Sequence, residues 1–194
     1  MEEKIERSIV TGTGRSGTTL FIQIMADLGF TVVKGAYNNK AKGGLEYILN
    51  KDSNIMNVVK SPPIFKDPRL LFNLHEVLEK FKTLKINRAF LCMREYEYSA
   101  KSGIDKDLVW KESYNLNDST LLDRQIDFHQ KNIGKFIETI SVNEIPLTIL
   151  HFPRFTNAEY LFRKLKGTEF ECSLDKIEVT LSRVVNHSFI NEWK

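Results

Sequence analysis

With 194 residues, 42% of them hydrophobic and 27% charged, the chain has the make-up of a soluble globular protein long enough to bury a core. A formal net charge of +3 and a pI near 8.7 suit a small anionic ligand and fall short of a nucleic-acid binder's basic footprint. Two cysteines, Cys92 and Cys172, exclude a disulfide scaffold, and the charged opening of residues 1–7 is neither a signal peptide nor a membrane anchor, so no membrane partner and a cytoplasmic setting are expected.

Along the chain, strand and helix patterns alternate with short connections. A β-branched run over Arg7–Thr11 predicts a first strand, and Leu20, Ile24, Met25 and Leu28 mark a helix over Thr18–Leu28. A short strand is expected at Phe30–Val33, a Gly- and Lys-rich loop at Lys34–Gly44 and a short helix at Leu45–Asn50. Asn57-Val58-Val59-Lys60 reads as a strand stopped by Ser61-Pro62-Pro63, because proline removes a donor and restricts the residue before it. Pro68–Phe81 follows as an amphipathic helix, and Ile86–Met93 as a buried strand of the parallel type. Ser119–Ile140 is the longest expected helix, Pro146–Phe152 the last strand, and Glu159–Leu165 and Leu174–Val185 the closing helices. The pattern predicts one domain over residues 1–194, an α/β fold of three layers with a central parallel sheet of about five strands and helices on both faces.

Three local features carry chemistry. Gly12-Thr13-Gly14-Arg15-Ser16-Gly17-Thr18-Thr19 lies between the first strand and first helix, where converging backbone N–H groups and the helix dipole favour a phosphate. The stretch has the Gly-x-x-x-x-Gly frame of a nucleotide-binding P-loop, with Thr18 where an ATPase or kinase keeps its lysine and with Arg15 as its fixed charge. Second, Leu91-Cys92-Met93-Arg94 ends a strand in arginine, and Ser102 follows eight residues later; a turn and a coil would bring both side chains over one phosphate. Third, Lys60 stands at the carboxyl end of its expected strand, the edge where open α/β sheets bind ligands. A solvated surface lysine is the plainer reading of Lys60.

On these residues the chain resembles the sulfotransferases that use 3′-phosphoadenosine 5′-phosphosulfate, small bacterial ones in particular. Gly14-Arg15-Ser16-Gly17-Thr18-Thr19-Leu20 is similar to that family's 5′-phosphosulfate loop, and the Arg94/Ser102 pair to its 3′-phosphate site. The resemblance implies that Gly14, Arg15, Ser16, Gly17, Thr18 and Thr19 hold the 5′-phosphosulfate, that Arg94 and Ser102 hold the 3′-phosphate, and that Lys60 stands near the transferring group. It also implies in-line sulfuryl transfer to a hydroxyl, or less readily an amine, on a small molecule or saccharide, with adenosine 3′,5′-bisphosphate as the other product. The chain lacks the histidine that the cytosolic branch has shortly after its strand-end lysine; Ser61-Pro62-Pro63 stands there instead.

No metal is expected. A sulfuryl group carries less charge than a terminal phosphoryl group, and neither Phe90–Met93 nor Thr148–His151 is followed by the aspartate of a magnesium-dependent NTPase. Arg15 and Lys60 would then stabilise the departing phosphate, and Glu46, in Gly43-Gly44-Leu45-Glu46-Tyr47, is the leading general base; a surface glutamate in a first helical turn is its plain alternative. Residues 34–56 and 104–130, with Tyr37, Tyr47, Trp110 and Tyr114, are the expected acceptor walls. A P-loop kinase using ATP and magnesium, and a nucleotide-binding relative without turnover, are the competing readings.

Overall fold

The computed structural model describes residues 4–32, 46, 47, 49, 52–105 and 121–185. Among these, β1 (Ile5–Gly12), β2 (Ile64–Lys66), β3 (Leu84–Met93) and β4 (Leu147–His151) form a parallel sheet in the order β2-β1-β3-β4. Every strand pair is parallel, so the carboxyl ends gather on one edge: Gly12 lies beside Cys92, Met93 beside His151, and Val10 beside Lys66.

Side chains alternate across the sheet and separate two cores. Val10, Ile64, Phe90, Cys92 and Leu150 face α1 (Thr18–Asp27), α6 (Ala158–Leu165) and α7 (Leu174–Val184), meeting Phe21, Met25, Leu161 and Ile177. Ile9, Phe65, Ala89 and Leu91 face the opposite way, toward α3 (Leu70–Lys80) and α5 (Leu121–Val142), with Leu71, Leu74, Ile133 and Phe136. Each fully buried residue of this kind contributes roughly 1.5–3 kcal/mol over exposure. The expected three layers are therefore present, with four strands among the described residues.

One expected strand is displaced, and the displacement has an identifiable cause. Asn57–Lys60, expected as a strand, belongs to helix α2 (Ile55–Lys60). Asn54 caps it: its side chain accepts from the Asn57 N–H at 3.2 Å, and Asn57 Oδ1 accepts the Asn54 N–H at 2.7 Å. This reciprocal cap outweighs the strand preference of two adjacent valines. Pro62 and Pro63 then delay the strand, and β2 begins at Ile64, with the Pro63 carbonyl accepting the Ser8 N–H at 2.8 Å. Phe30 to Val32, expected to be extended in a strand, carry no sheet pairing; Phe30 instead sets its ring 5.2 Å from Phe170. Where a helix was expected at Leu45–Asn50, Glu46 forms a parallel bridge to Lys66 and the Tyr47 N–H donates to the Lys66 carbonyl at 2.9 Å. Glu46 and Tyr47 are thereby laid along the end of β2. The expected loop 34–44, with Tyr37, lies outside the described residues, as do Trp110 and Tyr114.

Candidate functional site

The glycine loop leaves β1 at Gly12 and enters α1 through Gly17. A Cβ on Gly12 would stand 2.2 Å from the Cys92 carbonyl oxygen, and one on Gly17 would stand 2.8 Å from both Phe152 and Phe155. Gly17 also has φ +84°, a conformation that costs a side-chain-bearing residue about 1–2 kcal/mol. These two glycines let the loop run close against the β3 tip and the residues after β4. Ser16, fully buried, donates to the Thr13 carbonyl at 2.6 Å and closes the turn from within.

Helix α4 (Tyr96–Asp105) starts two residues after Arg94 and lies along this loop. Ser99 Oγ donates to the Gly14 carbonyl and lies 3.2 Å from Thr13 Oγ1; Arg15 Nε donates to Ser102 Oγ at 3.1 Å. Arg15 holds φ at +64° while exposing its side chain. Arg94 is buried, with its guanidinium 5.4 Å from the Tyr98 ring and 5.5 Å from the Phe152 ring. Burial first, and repulsion from Arg15 second, lower the Arg94 pKa from its ordinary value. Arg15, Arg94 and Ser102, which the sequence separates by up to 87 positions, thus share one neighbourhood at the carboxyl edge. An anion would relieve the repulsion that Arg15 exerts on Arg94.

On the other flank, Lys66 ends β2 with its side chain on the α1 face. Nζ donates to Thr19 Oγ1 at 2.7 Å and pairs with Glu46 Oε1 at 3.1 Å. The Lys66 side chain is 2% exposed and that of Glu46 is 30% exposed, so the lysine is enclosed while the carboxylate still meets solvent. Burial lowers the Lys66 pKa and the Glu46 charge opposes that shift. Asp67 follows, fully buried; Oδ2 accepts the Leu49 N–H at 2.8 Å and Oδ1 the Arg69 N–H at 3.0 Å. The Asp67 carboxylate therefore fastens the Glu46-bearing segment to the end of β2. Desolvation pushes its pKa up to about 6.

Lys60 is not part of this arrangement. It is exposed in the last turn of α2, and the α2 carboxyl end is held by Arg7, which donates to Ser61 Oγ at 2.8 Å and the Val59 carbonyl at 3.0 Å. Arg7 lies five residues before Gly12 along β1, or about 17 Å at 3.3 Å per residue. The strand-end lysine is Lys66, and its local signal was the run Ile64-Phe65-Lys66 released after two prolines. The strand that the sequence reading did not expect, β2, is followed by Asp67, with both of its oxygens taken by backbone N–H groups.

Neither a scan of protein-family models nor a search of curated proteins finds a match to the sequence. Among solved structures, the chain is similar to the crystal structure of the sulfotransferase STF9 from Mycobacterium avium, with a TM-score of 0.53 and 11% identity. The likeness covers 94% of this chain and 68% of that one. The fold is sulfotransferase-like. In this sulfotransferase-like fold the glycine loop, the β3 tip and α4 meet at the carboxyl edge of the sheet.

No group of three or more His, Cys, Asp or Glu residues positioned for a metal ion occurs among the described residues, and no helix among them is long and apolar enough to cross a membrane. Of the histidines, His75 is exposed on α3 beside Glu76. His129 is buried in α5 with Nδ1 unpartnered, and desolvation pulls its pKa down to about 4. Tyr47, an expected acceptor wall, donates through its hydroxyl to the Asn57 carbonyl at 2.6 Å.

Proposed function

We propose that the protein is a sulfotransferase that moves a sulfuryl group from 3′-phosphoadenosine 5′-phosphosulfate to a hydroxyl-bearing small molecule or saccharide. The observation that carries this reading is the meeting of Arg15, Arg94 and Ser102 beside a glycine loop, since one cluster of two guanidinium groups and a hydroxyl next to backbone donors suits the two neighbouring anionic groups of a single nucleotide. When bound, the donor supplies the sulfuryl group and leaves as adenosine 3′,5′-bisphosphate.

The chain's own residues then have distinct tasks. Gly14, Ser16, Gly17, Thr18 and Thr19 bind the 5′ group through the loop and the first turn of α1, and Arg15 adds fixed charge. Arg94 and Ser102 bind the 3′-phosphate. Lys66 takes the role assigned from sequence to Lys60: its ammonium, held against Thr19, stabilises charge developing at the departing phosphate. Glu46, beside Lys66 and open to solvent, receives the acceptor proton. The reading needs no metal, because backbone donors and two or three cations suffice for the smaller charge of a sulfuryl group.

A calorimetric titration with adenosine 3′,5′-bisphosphate tests the reading. Arg94→Ala should weaken binding by about 1.5–3 kcal/mol, the range for a hydrogen bond to a charged group; unchanged affinity contradicts it. Asp67 at a strand end beside β1 is the one feature that favours a magnesium-dependent kinase instead. Magnesium-ATP raising the melting temperature more than the bisphosphate would support that second reading.

A further inference from the structure

The link between the two anion-binding elements is itself a feature of this chain. Helix α4 touches three consecutive loop residues: Ser99 reaches Thr13 and Gly14, and Ser102, one turn further on the same face, reaches Arg15. Ser99 is 1% exposed, so its hydroxyl has no solvent to turn to, and the Gly14 carbonyl is the acceptor it meets. That carbonyl belongs to the peptide unit joining Gly14 to Arg15. Arg15 stands immediately after it at φ +64°, a conformation that persists only when its surroundings hold it. On the outer side of the loop, a Cβ at Gly14 would meet nothing within 4 Å, so no packing there supports the peptide.

We propose that Ser99 is a positioning residue: by fixing the Gly14–Arg15 peptide to α4, it makes the glycine loop and the Arg94/Ser102 site one rigid receptor. The inference rests on the proposed recognition of a nucleotide phosphorylated at both the 5′ and 3′ positions. With the link intact, a ligand anchored at one phosphate meets the second site already in place, and the two contributions reinforce each other. Without it, the loop and α4 shift relative to one another, and the second phosphate adds less than it should. Ser99 touches no ligand in this scheme; it acts through Gly14 and Arg15.

The test is calorimetric titration of wild-type and S99A protein with three probes: adenosine 5′-monophosphate, adenosine 3′-monophosphate and adenosine 3′,5′-bisphosphate. The expected result is a loss of roughly tenfold for the bisphosphate and less than about threefold for each monophosphate, a drop in coupling between sites. The near-isosteric Ser99→Cys, whose thiol is a weak donor, should show the same selective loss and serves if S99A does not fold. Equal losses for all three probes would mean simple damage to the loop and would overturn the coupling. Bisphosphate affinity within about twofold of wild type would overturn it too. If the wild-type protein itself binds the bisphosphate no better than the monophosphates, the proposed function fails first, and this inference with it.

Discussion

The two flanks of the site are held by different physics. On the glycine-loop flank, the loop is fitted by backbone contact against the Cys92 carbonyl, Phe152 and Phe155, and by hydroxyl bonds from Ser16 and Ser99. On the Glu46 flank, a single bridge, a buried aspartate and a buried lysine hold a short edge segment in place. Close packing tolerates little change in shape, whereas buried ionisable groups tolerate little change in charge or pH. The first flank should therefore answer to added atoms and the second to titration.

The largest effect is expected on the packed flank. Gly12→Ala should destabilise the protein by about 3 kcal/mol or more, because its Cβ would meet a backbone carbonyl that cannot swing away. Gly14→Ala, two residues on and facing open space, should stay within about 0.5 kcal/mol. Urea denaturation of the pair measures the contrast, and equal losses would break it.

Next comes Asp67. Its folded pKa, near 6, lies above the unfolded value of 3.8, so its contribution to stability is complete below pH 3.8 and is lost as pH rises through about 6. Relative to Asp67→Asn, wild-type stability should fall by about 3 kcal/mol at most across that window. His129 runs the other way: with a folded pKa near 4 against 6.5, its neutral form contributes fully above pH 6.5 and loses that contribution as pH falls toward 4. Comparing Asp67→Asn and His129→Leu denaturation between pH 4 and 7 separates the two, and parallel profiles would contradict the assignment.

A smaller effect distinguishes the two lysines. Lys66→Met should weaken the bisphosphate product, which carries the departing phosphate's charge, by about 1.5 kcal/mol and the phosphosulfate donor by no more, while Lys60→Met changes neither. Displacement titrations read both, and an equal response from Lys60 would restore it to the site. The smallest is Tyr47→Phe, which removes the hydroxyl bond to the Asn57 carbonyl and should cost about 1 kcal/mol in urea.

The same division explains what could be read from the sequence. The glycine loop and the apolar run of β3 are each contiguous and so legible locally, whereas the bond from Arg15 to Ser102, 87 positions away, is not. The Glu46 flank joins residues 46, 49, 66 and 67 through tertiary contacts, and no local period reports these. There, the valine pair at 58 and 59 reads as a strand, the reciprocal Asn54/Asn57 cap makes a helix of it, and the strand-end lysine lies six residues further on, at Lys66. Ser99 was invisible for a related reason: its partner lies 85 positions away.

The most direct test of the account is the ratio of affinities for adenosine 3′,5′-bisphosphate and adenosine 5′-monophosphate, measured by calorimetry on the wild-type protein. If Arg94 and Ser102 read a second phosphate, the bisphosphate should bind at least about tenfold more tightly, one charge-assisted contact's worth. Equal affinity for the two nucleotides would contradict it.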